Sequence, residues 1–383
     1  MTTFAIKGWC PSALRPMLSG DGLVVRLRPR FGRLSAEQAA GIAELAQRCG
    51  NGLIDLTGRA NLQIRGVRED SHETLVTGLV RLGMVDDDEA AEAQRNVLVA
   101  PFWAEGDDAH ALAIALERAL AARQLGLPEK FGFAVDCGAN RVLARSPADI
   151  RIERSAEGEL IVRADGAEAG CAASKADVID AALSLAEWFV ASGGVRGGRG
   201  RMAGHIANGE KLPDALAGQT RPAPGLASLN PGIQLSGALV GLAFGQMESG
   251  TLNSLAGLAP GLRLTPWRMI LVEGQREMPQ HHGLVTRADD PLLRVVACTG
   301  APGCPEARAE TRALAAALAP RIAPDMRLHV SGCAKGCAHP GPSDVTLVGT
   351  SEGFDLVRDG SARDVPAHRG VSPAGVLALM GTR

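Results

Sequence analysis

A chain of 383 residues with an apolar fraction of 46% is long enough for two or three domains and a sizeable core. A formal net charge of −2 argues against a general nucleic-acid or membrane-surface binder, and no run of about 18 apolar residues offers a transmembrane helix. Eight cysteines make no disulfide framework at this length and no secretory pattern opens the chain, so a reducing, cytoplasmic setting is expected, where clustered cysteines point to metal or catalysis.

The first half reads as strand, helix, strand. "GLVVRLRPRFG" (22–32) alternates apolar residues and is expected to be extended. "SAEQAAGIAELAQRCG" (35–50) is helical, with Ser35 as N-cap and Gly50 past the end. "NGLIDLTGRANLQIRGV" (51–67) is extended, and "SHETLVTGLVRLG" (71–83) forms a short helix. Then come a buried strand (95–102), a helix (111–123) and a strand (129–138). The second half repeats this order: strand-like 237–247, a short helix 249–260, extended 261–274, a buried strand 291–300, a helix 304–320 and a strand 326–333. Each half carries an L-T segment followed by arginine, "GLIDLTGRANLQIRG" and "GLRLTPWRMILVEG". The matched order of elements indicates internal duplication. Between the halves, 192–225 is rich in glycine and arginine and ends in prolines, so it reads as a linker or mobile loop. Its G-x-G-x-x-A at Gly198, Gly200 and Ala203 lacks the strand before and helix after that a dinucleotide fingerprint needs. It is better read as an anion-binding loop or a plain linker.

Four of the eight cysteines lie in two loops, "CTGAPGC" from Cys298 and "CAKGC" from Cys333. The spacings C-x5-C and C-x3-C are looser than the tight pairs of a zinc knuckle. An iron–sulfur cube is larger and takes ligands from longer loops. Gly300, Gly303, Gly332 and Gly336 let backbone N–H groups approach its sulfurs. Pro305 after Cys304 suits the first position of a helix, whose positive end would face an anionic cluster. Cys298, Cys304, Cys333 and Cys337 are therefore the candidate ligands of a [4Fe–4S] cluster, with a zinc site or inert buried thiols as alternatives. Cys10, Cys49, Cys137 and Cys171 are scattered; Cys137 stands in the first repeat about where Cys333 stands in the second.

The cysteine signature, on a duplicated core with an L-T segment in each half, resembles the sulfite/nitrite reductase family. In that family the fourth cysteine also bridges to sirohaem iron. The opening "KGWCPSALRPMLSGDGLVVRLRP" is similar to the oxygen-dependent, cobalamin-pathway branch of the family, and the short length points the same way. The resemblance implies an α+β fold: two ferredoxin-like halves (1–85 and 226–285) and two α/β units (86–200 and 286–383) in pseudo-two-fold arrangement, with 201–225 as linker. It also implies basic residues over a tetrapyrrole. The family arginines fall on Arg59 in "LTGRANLQIRG" and Arg95 in "AQRNVLVAP". The first lysine of the family's K-F-K strand falls on Lys130, while Gly132 replaces the second. Losing that lysine fits a site whose anions are carboxylates on a large ring, which arginine forks bind bidentately. Lysine is scarce here, at five residues, so Lys335 between two cluster cysteines is a further candidate, as is Arg268 of the second repeat. Arg65, with no motif behind it, reads as a surface charge. Tyrosine is absent, which excludes a tyrosine-based mechanism.

The reaction implied is O2-dependent hydroxylation of precorrin-3A at C20 with γ-lactone formation, giving precorrin-3B. An NADH-linked electron donor, a separate reductase, is expected as partner, because the chain shows no nicotinamide or flavin module. The resemblance also implies a non-haem iron beside the cluster. His281 and His282 are adjacent, and His205, His329 and His339 are isolated, so no ligands are assigned. The alternatives are a sirohaem-dependent nitrite or sulfite reductase and a cluster-only electron-transfer protein.

Overall fold

The computed structural model describes residues 10–86, 92, 95–226 and 229–381; residues 7–9 of the opening segment lie outside them. Two antiparallel sheets form the centre. The first orders its strands Met17–Ser19, Gly22–Leu27, Leu62–Val67, Leu53–Leu56 and Gln246–Glu248. The second orders Gly232–Gln234, Gly237–Leu242, Met269–Glu273, Gly261–Leu264 and Arg33–Ser35, with Leu284–Val285 beside Gly237–Leu242. Each half thus lends one edge strand to the other's sheet. A single backbone device makes both exchanges. Phe31 and Phe244 adopt left-handed backbone at φ 56°, within matching Arg30–Gly32 and Ala243–Gly245 turns that redirect the chain. A left-handed phenylalanine is costly, so finding the same cost at equivalent points marks the duplication.

Helix Ala36–Cys49 starts where the sequence says. Ser35 Oγ accepts from the Gln38 N–H at 3.1 Å, and Gln38 Oε1 accepts from the Ser35 N–H at 3.0 Å, closing a capping box. Its apolar face, including Ile42, Leu45 and Ala46, packs on helix Ser249–Ala256, its counterpart, inside one core shared by both sheets.

Two flanking sheets have the same plan. In the third, Val97–Val99, Phe133–Asp136 and Ile150–Arg154 run parallel, and Leu160–Ala164 and Cys171–Ala172 follow antiparallel. In the fourth, Val295–Ala297, Leu328–Ser331 and Ser343–Thr350 run parallel, and Gly353–Gly360 and His368–Val371 follow antiparallel. A helix crosses between the first two strands of each, Asp108–Ala121 and Arg312–Leu318, and another closes each unit, Val178–Ala191 and Pro373–Gly381. The molecule is a duplicated α+β core. Among the described residues no helix is long and apolar enough to cross a membrane.

Two expectations are corrected. The helix expected over 304–320 begins only at Arg312; Cys304 and Pro305 lie in turns, so no helix N-terminus abuts Cys304. The segment expected as linker folds onto the third sheet. Met202 is fully buried, Arg201 Nε donates to Asp149 Oδ1 at 2.9 Å, and isolated bridges pair Thr220 with Gly170 and Pro222 with Ser155. Glycine content suggested mobility there; in the structure Gly194 and Gly200 serve close packing, since a Cβ on Gly200 would stand 2.0 Å from the Gly194 carbonyl oxygen.

Candidate functional site

Both cysteine loops leave the carboxyl ends of adjacent parallel strands, the usual position for sites in α/β units. Cys298 follows Val295–Ala297, and Cys333 follows Leu328–Ser331 after one glycine. The four thiols interact. Cys298 is hydrogen-bonded to Cys337, and with the Gly332 N–H 3.1 Å from its sulfur it is held down at about 6. The bond to Cys298 and the charges of Cys298, Cys304 and Cys333 push Cys337 up. Burial pushes Cys333 up, while the Lys335 N–H and ammonium act in the opposite sense. Four thiolates crowded in this way oppose one another's ionisation unless a cationic metal core offsets them. Backbone N–H groups aimed at Cys298 and Cys333 are donors suited to cluster sulfur ligands. The residues present therefore fit an iron–sulfur cube. Among the described residues, no three His, Cys, Asp or Glu side chains are placed to hold a single metal ion.

The loop between Cys298 and Cys304 is stapled to the first sheet. Arg65 donates to Asp21 through Nε (3.1 Å) and Nη2 (2.7 Å), and Nη2 also reaches the Gly303 carbonyl at 2.8 Å. Ser19 Oγ donates to the same carbonyl at 2.7 Å. Arg65 is 6% exposed, so it is not the surface charge expected.

The first sheet turns a polar row toward these loops. Across four strands, Arg26, Gln63, Asp55 and Gln246 stand in register. Asp55 accepts from Gln246 Nε2 (3.0 Å) and from Arg312 Nη2 (3.1 Å) of the unit that carries the four cysteines. The equivalent row of the second sheet is Leu239, Leu271, Arg263 and Arg33. There Leu239 and Leu271 are fully buried with Met269 under Phe102, Leu229, Trp267 and Leu293, and both arginines are spent on Glu273. The duplication is thus broken chemically: one face is polar and the other is plugged.

Arg59 lies beside the polar row. Its Nη2 donates to the Lys130 carbonyl at 3.0 Å. Burial lowers it to about 10, and the neighbouring Arg201 and Arg26 push the same way. Arg201 is positioned by Asp149, which is fully buried and also accepts from the Gly132 N–H at 2.9 Å. Gly132 makes room for this arrangement. A Cβ there would stand 2.8 Å from Asn96 Nδ2 and 3.2 Å from Arg59 Nη1. Three guanidiniums near one another form a local positive field suited to anions.

The five basic candidates do not share one pocket. Lys130 is exposed and its carbonyl, not its ammonium, engages Arg59. Arg95 turns away: it donates to Asp86 at 2.6 Å and to the Arg28 carbonyl at 2.8 Å, and lines a separate cavity of about 520 Å³. Arg268 does reach the cysteines. Its Nη2 donates to the Ala338 carbonyl at 3.2 Å, and Cys298 and Cys337 lie within its electrostatic reach. It is not the counterpart of Arg59. Thr57 and Thr265 make matching turns, which puts Trp267 at the position of Arg59 and left-handed Arg268 (φ 62°) at that of left-handed Ala60 (φ 54°). Lys335 stays near Cys333. Cys137 follows Asp136, the strand counterpart of Ser331, so it matches Gly332, and Gly138 matches Cys333. Another cavity, of about 1100 Å³, touches Arg268 and His339 along the plugged face. Its lining carries as many aspartates (Asp290, Asp325, Asp344, Asp359) as arginines (Arg145, Arg268, Arg294, Arg327), so it lacks the charge bias of the Arg26–Arg59–Arg201 group.

Sequence reading missed Arg26, Gln63, Asp55, Arg201 and Arg312. Strand alternation puts Arg26, Gln63 and Asp55 each on the face opposite the apolar residues, a signal present in the sequence. Nothing local announces Arg201 or Arg312.

Comparison with known proteins fits this geometry. The model of the nitrite/sulfite reductase ferredoxin-like half domain matches residues 15–82. A precorrin-3B synthase from a Sinorhizobium species is 32% identical over a 397-residue alignment spanning 94% of this chain and 84% of that protein. A ferredoxin–nitrite reductase from Synechococcus elongatus is 25% identical over a 446-residue alignment, with 94% and 84% covered. Among solved structures, the Mycobacterium tuberculosis NirA protein superimposes with a TM-score of 0.65 at 16% identity, covering 90% of this chain and 77% of that one, a likeness of fold alone.

Proposed function

The chain belongs to the precorrin-3B synthase family, within the nitrite/sulfite reductase-like fold, and from that premise we propose that it converts precorrin-3A to precorrin-3B with O2. One oxygen atom enters at C20 as hydroxyl. The other leaves as water, using two electrons and two protons from an NADH-linked donor system, and the ring A acetate closes the γ-lactone. Cys298, Cys304, Cys333 and Cys337 would hold the [4Fe–4S] cluster, which when bound supplies single-electron transfer.

This chain's own residues bind and orient the ring. Arg59, with Arg26 and Arg201, takes carboxylates of the ring periphery, and Gly132 leaves Arg59 its space. Arg268 and Arg312 hold positive charge on the cysteine side of the same sheet face. The expected roles of Lys130, Lys335 and Arg95 divide: Lys335 contributes charge beside Cys333, Lys130 offers Arg59 its carbonyl, and Arg95 supports the fold through Asp86. The non-haem iron gains no ligand set among the described residues, and no step is routed through it.

The observation that carries the reading is the broken duplication: an arginine-rich polar face beside the four cysteines, against an apolar face at its counterpart. The test is incubation of pure protein with precorrin-3A, O2 and a reductant. A hydroxylactone product supports the reading. Strong sirohaem bands with nitrite or sulfite turnover, and no hydroxylactone, would replace it with the reductase alternative.

A further inference from the structure

Of the glycine–arginine segment, Arg201 alone belongs to the arginine group on the polar face. The tip of the segment is a two-residue hairpin. The Arg196 N–H donates to the Arg199 carbonyl at 2.7 Å and the Arg199 N–H to the Arg196 carbonyl at 3.1 Å. Gly197 (φ 55°) and Gly198 (φ 70°) are both left-handed, as a type I′ turn requires. Residues that exchange both hydrogen bonds stand directly opposite, with side chains on the same face and Cα atoms about 5.5 Å apart. Like charges in that relation repel. Both side chains are exposed, and among the described residues neither guanidinium is paired to a carboxylate.

The base of the hairpin is pinned. A Cβ on Gly194 would stand 2.4 Å from the Phe189 ring, Ser192 Oγ is 2.8 Å from His205 Nε2, and Met202 is fully buried. Arg201, two residues past Arg199, is held on Asp149 beside Arg59. A pinned turn therefore presents two exposed guanidiniums, and Arg199 is separated along the chain by one residue from Arg201 of the arginine group. Such a pair loses its mutual repulsion when a carboxylate-bearing ligand sits on it, and arginine forks match carboxylates.

We propose that Arg196 and Arg199 form a clamp for peripheral carboxylates of the tetrapyrrole, extending the Arg26–Arg59–Arg201 group outward. The clamp rests on the tetrapyrrole reading above. The test is fluorescence titration of the holoprotein with precorrin-3A and, separately, uroporphyrin III, at several salt concentrations. Two double variants are compared with wild type. Arg196→Gln/Arg199→Gln removes the charges from an exposed tip. Gly197→Ala/Gly198→Ala keeps the charges and strains the turn, in a place where no neighbouring atom lies within 4 Å. Both are expected to bind the two ligands about 10-fold more weakly, the first with an unchanged melting temperature and a shallower salt dependence, the second with a slightly lowered melting temperature. Wild-type affinity in either double variant overturns the clamp and leaves the tetrapyrrole reading standing. A wild-type protein that binds neither ligand overturns that reading, and the clamp with it.

Discussion

Arg59 is the motif arginine that the structure sets beside other arginines. The sequence marks it by its place after the L-T pair; the structure adds the reason for its charge to matter, namely burial among Arg26 and Arg201. A charge-assisted hydrogen bond contributes about 1.5–3 kcal/mol. Arg59→Ala should therefore weaken precorrin-3A binding by roughly 10- to 100-fold, measured by equilibrium titration; unchanged affinity removes Arg59 from the site. Arg65 shows what a single sequence hides. It looks like any surface arginine, because burial depends on Asp21 and Gly303 arriving from distant parts of the chain. Asp136 was equally silent. It is 1% exposed, and Oδ2 accepts from the Leu143 N–H at 2.6 Å. Burial raises it from 3.8 to about 6. The folded state thus favours the protonated acid, and its contribution is full below about pH 4 and lost as pH rises through 6. Asp136→Asn should stabilise the protein at pH 7 by up to roughly 3 kcal/mol and by little at pH 4. Equal melting-temperature shifts at both values would contradict this.

At the level of elements, hydrophobic periodicity and capping located the helix Ala36–Cys49 and the strands that flank it, because both signals are local. Two misreadings share one physical cause. Proline after Cys304 and glycines over 192–200 were weighed as local backbone preferences, and tertiary contacts decided otherwise. Pro305 lies in a turn of the cysteine loop, and Gly194 and Gly200 permit close approach to Phe189. The strand Leu62–Val67 joins the central sheet to the cysteine-bearing unit through Arg65. Removing one partner of a buried charge pair costs about 3–5 kcal/mol. Arg65→Met should lower the melting temperature and loosen the loop at Gly303, so that iron is lost faster to a chelator. Wild-type chelation kinetics in a folded Arg65→Met protein would show that the staple does not hold the cysteine loop.

For the whole molecule, duplication was legible as a repeated order of elements, but the exchange of edge strands was not. It depends on Phe31 and Phe244 turning the chain at φ 56°, a conformation no propensity favours. Nor did the repeat predict its own asymmetry. Equivalent positions hold Arg26 and Leu239, Gln63 and Leu271, and these pairs leave one face polar and the other apolar. The central claim is that this polar face adjoins four thiolates that share one inorganic cluster. Iron and acid-labile sulfide analysis of anaerobically purified protein, beside Cys333→Ser, tests it most directly. About four iron and four sulfide per wild-type chain are expected, with the cluster lost in the variant. A single zinc, or iron content unchanged by Cys333→Ser, would contradict it.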